Sequence, residues 1–196
     1  LGFIQGLTEF IPISSSAHLA LVPFFLKWQI NPDVDFIFNV LVQFATLGAV
    51  LVYFAKDIYR IVQAFFAAMK DPNRSQTPSF QLGLAIIVGT IPLIIFGLPL
   101  KHVVSEAFNH PTFIAFALLI TAALLWWTEN LLGTGAVSFP PTPSRAFIIG
   151  LAQLLAVFPG ISRSGATISA GLSQKLDRPS AARFSFLLSI PALTGA

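Results

Sequence analysis

The sequence predicts an all-α fold, a polytopic membrane helical bundle with two re-entrant hairpins in an inverted-topology repeat. Three observations support this prediction. The 196 residues are 55% hydrophobic and only 10% charged, whereas a soluble domain carries about 25% charged residues. Several apolar runs approach the roughly 20 residues that a membrane-spanning helix needs. Two further apolar stretches are interrupted near their middle by Ser, Pro and Gly. We therefore treat residues 1–196 as a single integral-membrane domain.

The composition excludes several classes of function. The sequence has no Cys, so disulfides and thiolate metal sites are excluded and any chemistry must use oxygen and nitrogen groups. The net charge of +3 suits contact with anionic headgroups but is too small and scattered to indicate nucleic-acid binding. No signal peptide with a basic N-terminal region is expected. Both ends lie in apolar sequence, which predicts a fragment of a longer protein.

The two interrupted stretches are predicted to be re-entrant hairpins. They cover Leu1–Trp28 and Ala146–Gln174, and each has polar and small residues at its centre. Non-helical backbone at membrane depth is tolerated only where it is buried in protein or lines a wet cavity. The alternative interpretation is two ordinary kinked spans.

The uninterrupted apolar runs are predicted to cross the membrane. Pro92 and Pro99 should kink the second of them, which neighbouring helices can tolerate. A fourth span is predicted to begin near Phe184. The three complete predicted spans are Phe36–Phe54, Leu82–Leu100 and Thr112–Trp127.

The loops between these runs give an orientation. Ala55–Pro78 holds four basic and two acidic residues, and Gln174–Arg183 holds three basic and one acidic. Lys101–Pro111 holds one Lys and one Glu. Cytoplasmic loops are enriched in Lys and Arg, so the two basic loops are predicted to be cytoplasmic and the third to be outside. The first hairpin then enters from the outer face and the second from the cytoplasmic face.

Recurring sequence blocks indicate an internal repeat. Gly2-Phe3-Ile4-Gln5 matches Gly150-Leu151-Ala152-Gln153, and each is followed by Phe, Pro and a Ser cluster at an offset of 147 to 148 positions. Repeat 1 is predicted to cover about 1–100, and repeat 2 about 146–196 and beyond. Inverted repeats of this kind place a binding site at the repeat interface.

Ionisable groups in the first hairpin point to chemistry. Gln5 and Glu9 are four residues apart and share one face of a helix. An ionisable residue in an apolar membrane segment indicates a functional site by default, although a structural Glu that ties two helices together is an alternative. His18 follows Ser14 by four residues and Ser15 by three, which places an imidazole beside hydroxyl groups.

The second hairpin carries the features of an anion site. Arg163 offers a forked, permanently charged set of donors that fits phosphate oxygens. Gly160 and Gly165 let the backbone approach an oxyanion closely. The alternative is a structural ion pair between Arg163 and Glu9. The hydroxyl groups around Arg163 belong to Ser162, Ser164 and Thr167.

Together the hairpins supply an acid or base, an imidazole, an anion clamp and hydroxyls. In phosphoryl transfer, positioning and charge stabilisation do most of the catalysis, and this set of groups suits that chemistry. A carboxylate among phosphate oxygens also favours a divalent cation, Mg²⁺ or Ca²⁺, since both prefer oxygen ligands. Glu9 is the expected metal ligand, with Gln5 as a weaker neighbour.

The two polar segments resemble the signatures of a known family. Gln5 to His18 and Pro159 to Thr167 are similar to the two motifs of the undecaprenyl-diphosphate phosphatases, the bacitracin-resistance proteins, and the resemblance covers essentially the whole chain. It implies hydrolysis of undecaprenyl diphosphate to the monophosphate carrier lipid used for peptidoglycan and other cell-wall glycans. It also implies a multi-pass enzyme of the bacterial plasma membrane that depends on a divalent cation and has a site open toward the outer, periplasmic side.

The resemblance also assigns residues. Its Glu/Gln-x-x-x-Glu motif falls on Gln5 and Glu9, and two departures are Gln5 where Glu is frequent and Ala17 where Gly is usual. The loss of a carboxylate at Gln5 removes one metal ligand or proton acceptor. The predicted catalytic residues are Glu9, Ser15, His18 and Arg163. The predicted phosphate-binding residues are Ser14, Ser162, Arg163, Ser164, Gly165 and Thr167.

Alternatives remain open at this point. A transporter or flippase for polyprenyl phosphate lipids would also use inverted repeats with broken segments, whereas a purely structural scaffold leaves the polar clusters unexplained. The nucleophile could be Ser15, His18 or a metal-bound water. The expected partners are a polyprenyl diphosphate lipid and the bilayer, with a homodimer compatible and no nucleic acid.

Overall fold

The computed structural model describes residues 1–107, 110–130 and 139–195. Within these ranges the chain forms nine α-helices, one short 3-10 helix at Pro72–Gln76 and no β-strand, which confirms the all-α prediction. The helices are α1 (Gly2–Thr8), α2 (Ser15–Phe25), α3 (Pro32–Tyr53), α4 (Ala55–Lys70), α5 (Pro78–Ala107), α6 (Pro111–Glu129), α7 (Pro143–Leu155), α8 (Arg163–Ser173) and α9 (Arg178–Thr194).

Three helices in the described ranges are long and apolar enough to cross a membrane. They are α3, α5 and α6, with apolar windows at Asp33–Tyr53, Pro78–Gly97 and Pro111–Glu129. These windows overlap the three predicted complete spans. The fourth predicted span corresponds to α9, which begins at Arg178 rather than near Phe184 because Asp177 caps it there: its side chain accepts a hydrogen bond from Ser180 N.

The segment Ala55–Pro78, predicted to be a loop, is helical over most of its length. It forms α4 and the 3-10 helix. The segment was predicted to be a loop because of its basic residues, although Ile58, Ile61 and Phe65 recur with the period of a helix. These three side chains are partly buried. A periodic apolar face of this kind is the primary signal for a helix.

Two other predicted loops are shorter than expected. Helix α5 continues through Lys101–Ala107, where a loop was predicted, and Pro99 lies inside it without ending it. Gln174–Arg183 is a loop only before α9 begins at Arg178. Residues 131–138, between α6 and α7, lie outside the described residues.

Each interrupted stretch consists of two helices separated by a break. The first break, residues 9–14, separates α1 from α2, and the second break, residues 156–162, separates α7 from α8. Helices α2 and α8 each contain 11 residues. They begin at Ser15 and Arg163, which is the spacing of the sequence blocks. The depth and direction of these segments in a bilayer remain predictions.

Helix α8 lies at the centre of the packing. It packs against α6, α7 and α9, and α7 in turn crosses α5 closely. At that crossing a Cβ on Gly150 would lie only 2.1 Å from the carbonyl oxygen of Gly89. The core beside it is completed by Phe184, Leu187 and Leu188 of α9, all fully buried. The second break therefore sits on a tightly packed support.

Candidate active site

The first break meets the start of helix α8 at an ion pair between Glu9 and Arg163. The guanidinium Nη2 of Arg163 donates to Oε1 of Glu9, although the residues are 154 positions apart. The Glu9 side chain is 7% exposed and that of Arg163 is 20% exposed. A charge this deeply buried must be paired or it strongly destabilises the fold. Each break therefore supplies the charge that the other needs.

The second oxygen of Glu9 faces polar groups of its own half of the chain. Oε2 accepts from the Ser15 hydroxyl at 2.5 Å and from Nε2 of Gln5 at 2.9 Å. The Ser164 hydroxyl reaches the backbone carbonyl of Glu9 at 3.3 Å. Gln5 is 1% exposed, and its Oε1 has no hydrogen-bond partner among the described residues. An acceptor left unpaired in a buried position is unfavourable, and the amide atom of Gln5 that contacts Glu9 is Nε2 rather than Oε1.

Local structure places these groups in the first break. Glu9 follows the last residue of α1, one helical turn after Gln5, and Ser15 is the first residue of α2. Ser14 caps α2 with φ 67° and ψ 94°, and its hydroxyl accepts from Ala17 N at 3.4 Å. A non-Gly residue in this region of backbone space is strained, and such strain is concentrated at functional sites.

The second break is fixed by helix α6. Gly160 has φ +99°, and a Cβ there would lie 2.6 Å from both the Ile114 carbonyl oxygen and the Ala117 Cβ. The Thr121 hydroxyl donates to the Gly160 carbonyl at 3.2 Å and accepts from Ser162 N at 3.0 Å. These contacts hold the turn that precedes α8, and they fix where Arg163 begins the helix.

The last serine of each break caps the following helix in the same way. Ser162 caps α8 and accepts from Gly165 N at 3.0 Å. Its hydroxyl lies 3.2 Å from that of Ser164, just as the Ser14 hydroxyl lies 3.2 Å from that of Ser16. Both predicted phosphate-binding caps therefore hold a helix start in this structure. A Cβ on Gly165 would lie 3.3 Å from the Pro12 carbonyl oxygen, so this glycine lets the breaks approach closely.

His18 and Thr167 lie outside the hydrogen-bonded group around Glu9. His18 Nδ1 is 2.8 Å from the Ser14 carbonyl oxygen. Since a carbonyl only accepts, Nδ1 is the donor and Nε2 is the acceptor of the neutral ring. The Thr167 hydroxyl donates to the Arg163 carbonyl at 2.8 Å and lies 2.6 Å from the Ser185 hydroxyl. The structure thus joins Gln5, Glu9, Ser15, Arg163 and Ser164, and places His18, Thr167 and the two caps around them.

Three supporting residues were not predicted as part of the site. Thr46 lies 3.5 Å from Gln5 Nε2, and Thr121 and Ser185 hold the second break and α8. All three are buried hydroxyl residues within apolar helices. That pattern was their only signal in the sequence, and it does not reveal the partner.

The arrangement suits phosphate chemistry. A carboxylate in contact with a hydroxyl is the geometry of a base and an activated nucleophile. Arg163 has five donors in a fixed fork, and Nη2 is directed at Glu9. No cluster of three or more His, Cys, Asp or Glu side chains occurs in the described parts of the chain. A divalent cation would therefore depend on the Glu9 carboxylate, since Mg²⁺ is commonly bound by one or two carboxylates together with substrate phosphates. Gln5 could add its Oε1 only after its amide turned, because Nε2 is the atom that faces Glu9.

Comparisons with known proteins agree with one another. The family described as bacitracin resistance protein BacA matches residues 1–196. A protein of Korarchaeum cryptofilum named undecaprenyl-diphosphatase is 44% identical over 198 residues, covering 100% of this chain and 72% of the relative. Proteins with the same name from Chlorobium chlorochromatii and from a Nocardioides species are 42% and 41% identical, each over 100% of this chain, covering 71% and 70% of the relative.

Proposed function

The chain belongs to the bacitracin resistance protein BacA family, and from this premise we propose how its Glu9–Arg163 site acts. The enzyme is an undecaprenyl-diphosphatase. It hydrolyses undecaprenyl diphosphate to undecaprenyl phosphate and inorganic phosphate. This reaction recycles the carrier lipid for cell-wall glycan synthesis, and the family name links it to bacitracin resistance. The observation that carries the proposed site is the junction itself, where Ser15 contacts one oxygen of Glu9 and Arg163 contacts the other.

Substrate binding begins at Arg163. A diphosphate competes with Glu9 for the guanidinium, and a fork that can grip two oxygens favours the phosphate. The hydroxyl of Ser164 lies beside the same junction, 3.3 Å from the Glu9 carbonyl oxygen, and it can donate to another phosphate oxygen. As Arg163 turns to the substrate, Oε1 of Glu9 is released from the ion pair, while Oε2 keeps its contact with the Ser15 hydroxyl.

Ser15 is the proposed nucleophile. Its hydroxyl is 2.5 Å from Glu9 Oε2, within the reach required of a base and the proton that it removes. Glu9 takes that proton while Ser15 Oγ bonds to the terminal phosphorus, and the bond to the undecaprenyl phosphate oxygen breaks. Water then attacks the phosphorus of phosphoserine, the bond to Ser15 Oγ breaks, and Glu9 returns its proton to that oxygen as inorganic phosphate leaves. His18 Nε2 is the proposed acceptor for the proton of that water.

A divalent cation is part of the proposal. Glu9 would hold it together with diphosphate oxygens, where it would neutralise the negative charge that builds up on the phosphates. Gln5 would join as a weaker ligand through Oε1, which is unpaired, once its amide turned away from the present contact of Nε2 with Glu9.

The setting of the site is also proposed. The apolar helices identify a membrane protein, and the undecaprenyl tail would lie against their exposed surface. We place the enzyme in the plasma membrane with the site open to the outer side, which the basic character of Ala55–Pro78 and Gln174–Arg183 supports. A homodimer remains an expectation from the sequence alone.

The first test is hydrolysis by purified protein in detergent. We expect release of inorganic phosphate from undecaprenyl diphosphate, at a rate proportional to the enzyme concentration. A protein that only moves the lipid between leaflets would release none, and this result would support the flippase alternative.

The second test identifies the nucleophile. Enzyme is mixed with substrate that is radiolabelled in the terminal phosphate, quenched in acid or base, and digested. We expect phosphoserine at Ser15, lost in Ser15→Ala and retained in Ser16→Ala, the matched neighbour. Label on His18 would transfer the nucleophile role to the imidazole, and full turnover without any covalent label would indicate attack by water.

A further inference from the structure

Helix α4 has one face that packs against the protein. The ring of Phe65 lies 4.7 Å from that of Phe80 between centroids. A Cβ on Gly83 would lie 2.5 Å from Phe65 and 2.7 Å from Ile61, so the glycine allows α4 to lie directly on α5. This face accounts for the apolar residues of α4 that are partly buried.

A second apolar stripe on α4 has no partner among the described residues. Tyr59, Val62, Phe66 and Met69 are 63%, 46%, 63% and 81% exposed. Their spacings of three, four and three residues place them on one side of the helix. Scattered exposed apolar side chains are normal, but a contiguous row of them marks an interaction surface.

The exposed charge beside this stripe is basic. Lys56, Arg60 and Lys70 are exposed, and at 100° per residue they follow the stripe around the helix. Asp57, the only acidic residue of α4, is half-buried and accepts from Arg183 Nη2 at 2.5 Å. Because this carboxylate is already paired, the free surface of α4 carries three positive charges beside its apolar row.

The position of α4 along the chain places it at a membrane surface. A single residue separates it from the end of α3 at Tyr53, and α5 begins at Pro78 soon after α4 ends. Both neighbours are long and apolar enough to span a bilayer. A segment that joins consecutive spans lies at the membrane boundary, and basic character predicts the cytoplasmic side, where anionic lipids are concentrated.

We propose that α4 lies in the plane of the bilayer surface and binds anionic phospholipid. Its stripe enters the boundary between headgroups and acyl chains, while Lys56, Arg60 and Lys70 contact the phosphates. Amphipathic helices with an apolar face and a basic polar face bind membranes in this way. The proposal does not depend on the hydrolytic site, because none of these residues takes part in it.

The depth of the stripe can be measured directly, because the chain has no Cys of its own. Single Cys residues at Phe66, at Met69 and at the exposed position Arg60, which lies opposite Met69 on the helix, are labelled with bimane in full-chain protein in vesicles. Lipids with a nitroxide high on the acyl chain should quench the labels at 66 and 69 strongly and the label at 60 weakly. Weak quenching at all three positions would mean that protein covers the stripe, and the proposal would be wrong.

Lipid preference tests the charge. With bimane at position 69, quenching by nitroxide-labelled phosphatidylglycerol is compared with quenching by the matching phosphatidylcholine. One Lys or Arg contact corresponds to about 1 kcal/mol, or about fivefold in affinity, so the preference for phosphatidylglycerol should be at least about fivefold. The combined change Lys56→Gln, Arg60→Gln and Lys70→Gln should bring it close to parity.

The matched control removes the same charge elsewhere. Lys27→Gln, Arg74→Gln and Lys175→Gln change three exposed basic residues outside α4 and should leave the preference intact. An unchanged preference in the α4 variant, or an equal loss in the control, would contradict the proposal. Equal helical circular dichroism of both variants would confirm that they are folded. The depth measurement uses the single-Cys variants and does not depend on either of them.

Discussion

The two breaks share a scaffold but differ in chemistry. Both use a Ser cap whose hydroxyl lies 3.2 Å from that of a Ser two residues later, and both precede an 11-residue helix. At equivalent positions, 148 residues apart, the charged groups differ. Glu9 corresponds to Val157, and Arg163 corresponds to Ser15.

This difference separates the chemical roles proposed for the two segments. The first break and the start of α2 carry the carboxylate and the hydroxyl, held mainly by hydrogen bonds around Glu9. The start of α8 carries the cation, and the second break before it is held by packing of Gly160 against α6 and by the Thr121 hydroxyl. Substitutions in the first break are therefore expected to lower activity, whereas substitutions in the second break are expected to lower both activity and stability.

A large effect on activity that tests this comparison is expected at Arg163. Arg163→Lys keeps the charge but loses the fork that grips two phosphate oxygens. Loss of one preorganised group that stabilises the transition state typically lowers kcat about 10²–10³-fold. We therefore expect Arg163→Lys to be nearly as damaging as Arg163→Ala in a phosphate-release assay. A Lys variant that keeps most of its activity would show that a point charge suffices.

A second prediction compares equivalent positions in the two breaks. Gly160→Ala forces a side chain into contact with Ile114 and Ala117 at a positive φ, so we expect a loss of stability of about 1–3 kcal/mol. Pro12→Ala, at the matching position of the first break, should cost less. The midpoints of thermal unfolding in detergent measure both. A larger loss for Pro12→Ala would reverse the proposed division between the breaks.

The charged pair of the candidate site could be predicted from the sequence, because charge in apolar segments is rare and costly. Glu9 and Arg163 stood out for that reason, and their pairing was one of the two interpretations. The supporting hydroxyls could not be found in this way. Thr121 sits in an apolar helix like many other Thr residues, and only the folded chain shows that it holds the Gly160 turn.

The fold was predictable where length and apolar content alone decide it. The windows of α3, α5 and α6 overlap the predicted spans for that reason. Helix α4 was missed because its apolar residues occur in two rows among basic and polar ones, so that its composition as a whole resembles that of a loop. The helical period of Ile58, Ile61 and Phe65 was the signal that should have outweighed the charges.

The smallest expected effect extends the comparison to the caps of α3 and α9. Asn31 and Asp177 each cap a helix through a side-chain oxygen. Hydrogen bonds from the Ser180 backbone and hydroxyl lower the pKa of Asp177. Its folded-state pKa thus lies below the unfolded-state value of about 3.9, so its stabilisation is complete above that pH and is lost as the pH falls through the folded-state pKa.

Asp177→Asn should keep the capping hydrogen bond to the side-chain oxygen but remove the carboxyl group that titrates. We expect similar unfolding midpoints at neutral pH and a slightly smaller fall for the variant as the pH drops from about 5 to below about 3.9. Asn31→Asp should introduce a dependence of the same sign at the other cap. Identical acid profiles for wild type and Asp177→Asn would show that the Asp177 cap does not contribute.

The most direct test of the shared site is turnover per folded molecule of Glu9→Gln. Gln keeps the size and hydrogen bonding of Glu but removes the charge, and Gln5 is already neutral and cannot replace it. We expect turnover to fall by roughly 10²–10⁴-fold, the usual contribution of a general base, while the protein remains monodisperse and helical. Partial recovery in excess Mg²⁺ would indicate metal binding at Glu9. Near-normal turnover by well-folded Glu9→Gln enzyme would contradict the account, because the ion pair with Arg163 would then be structural.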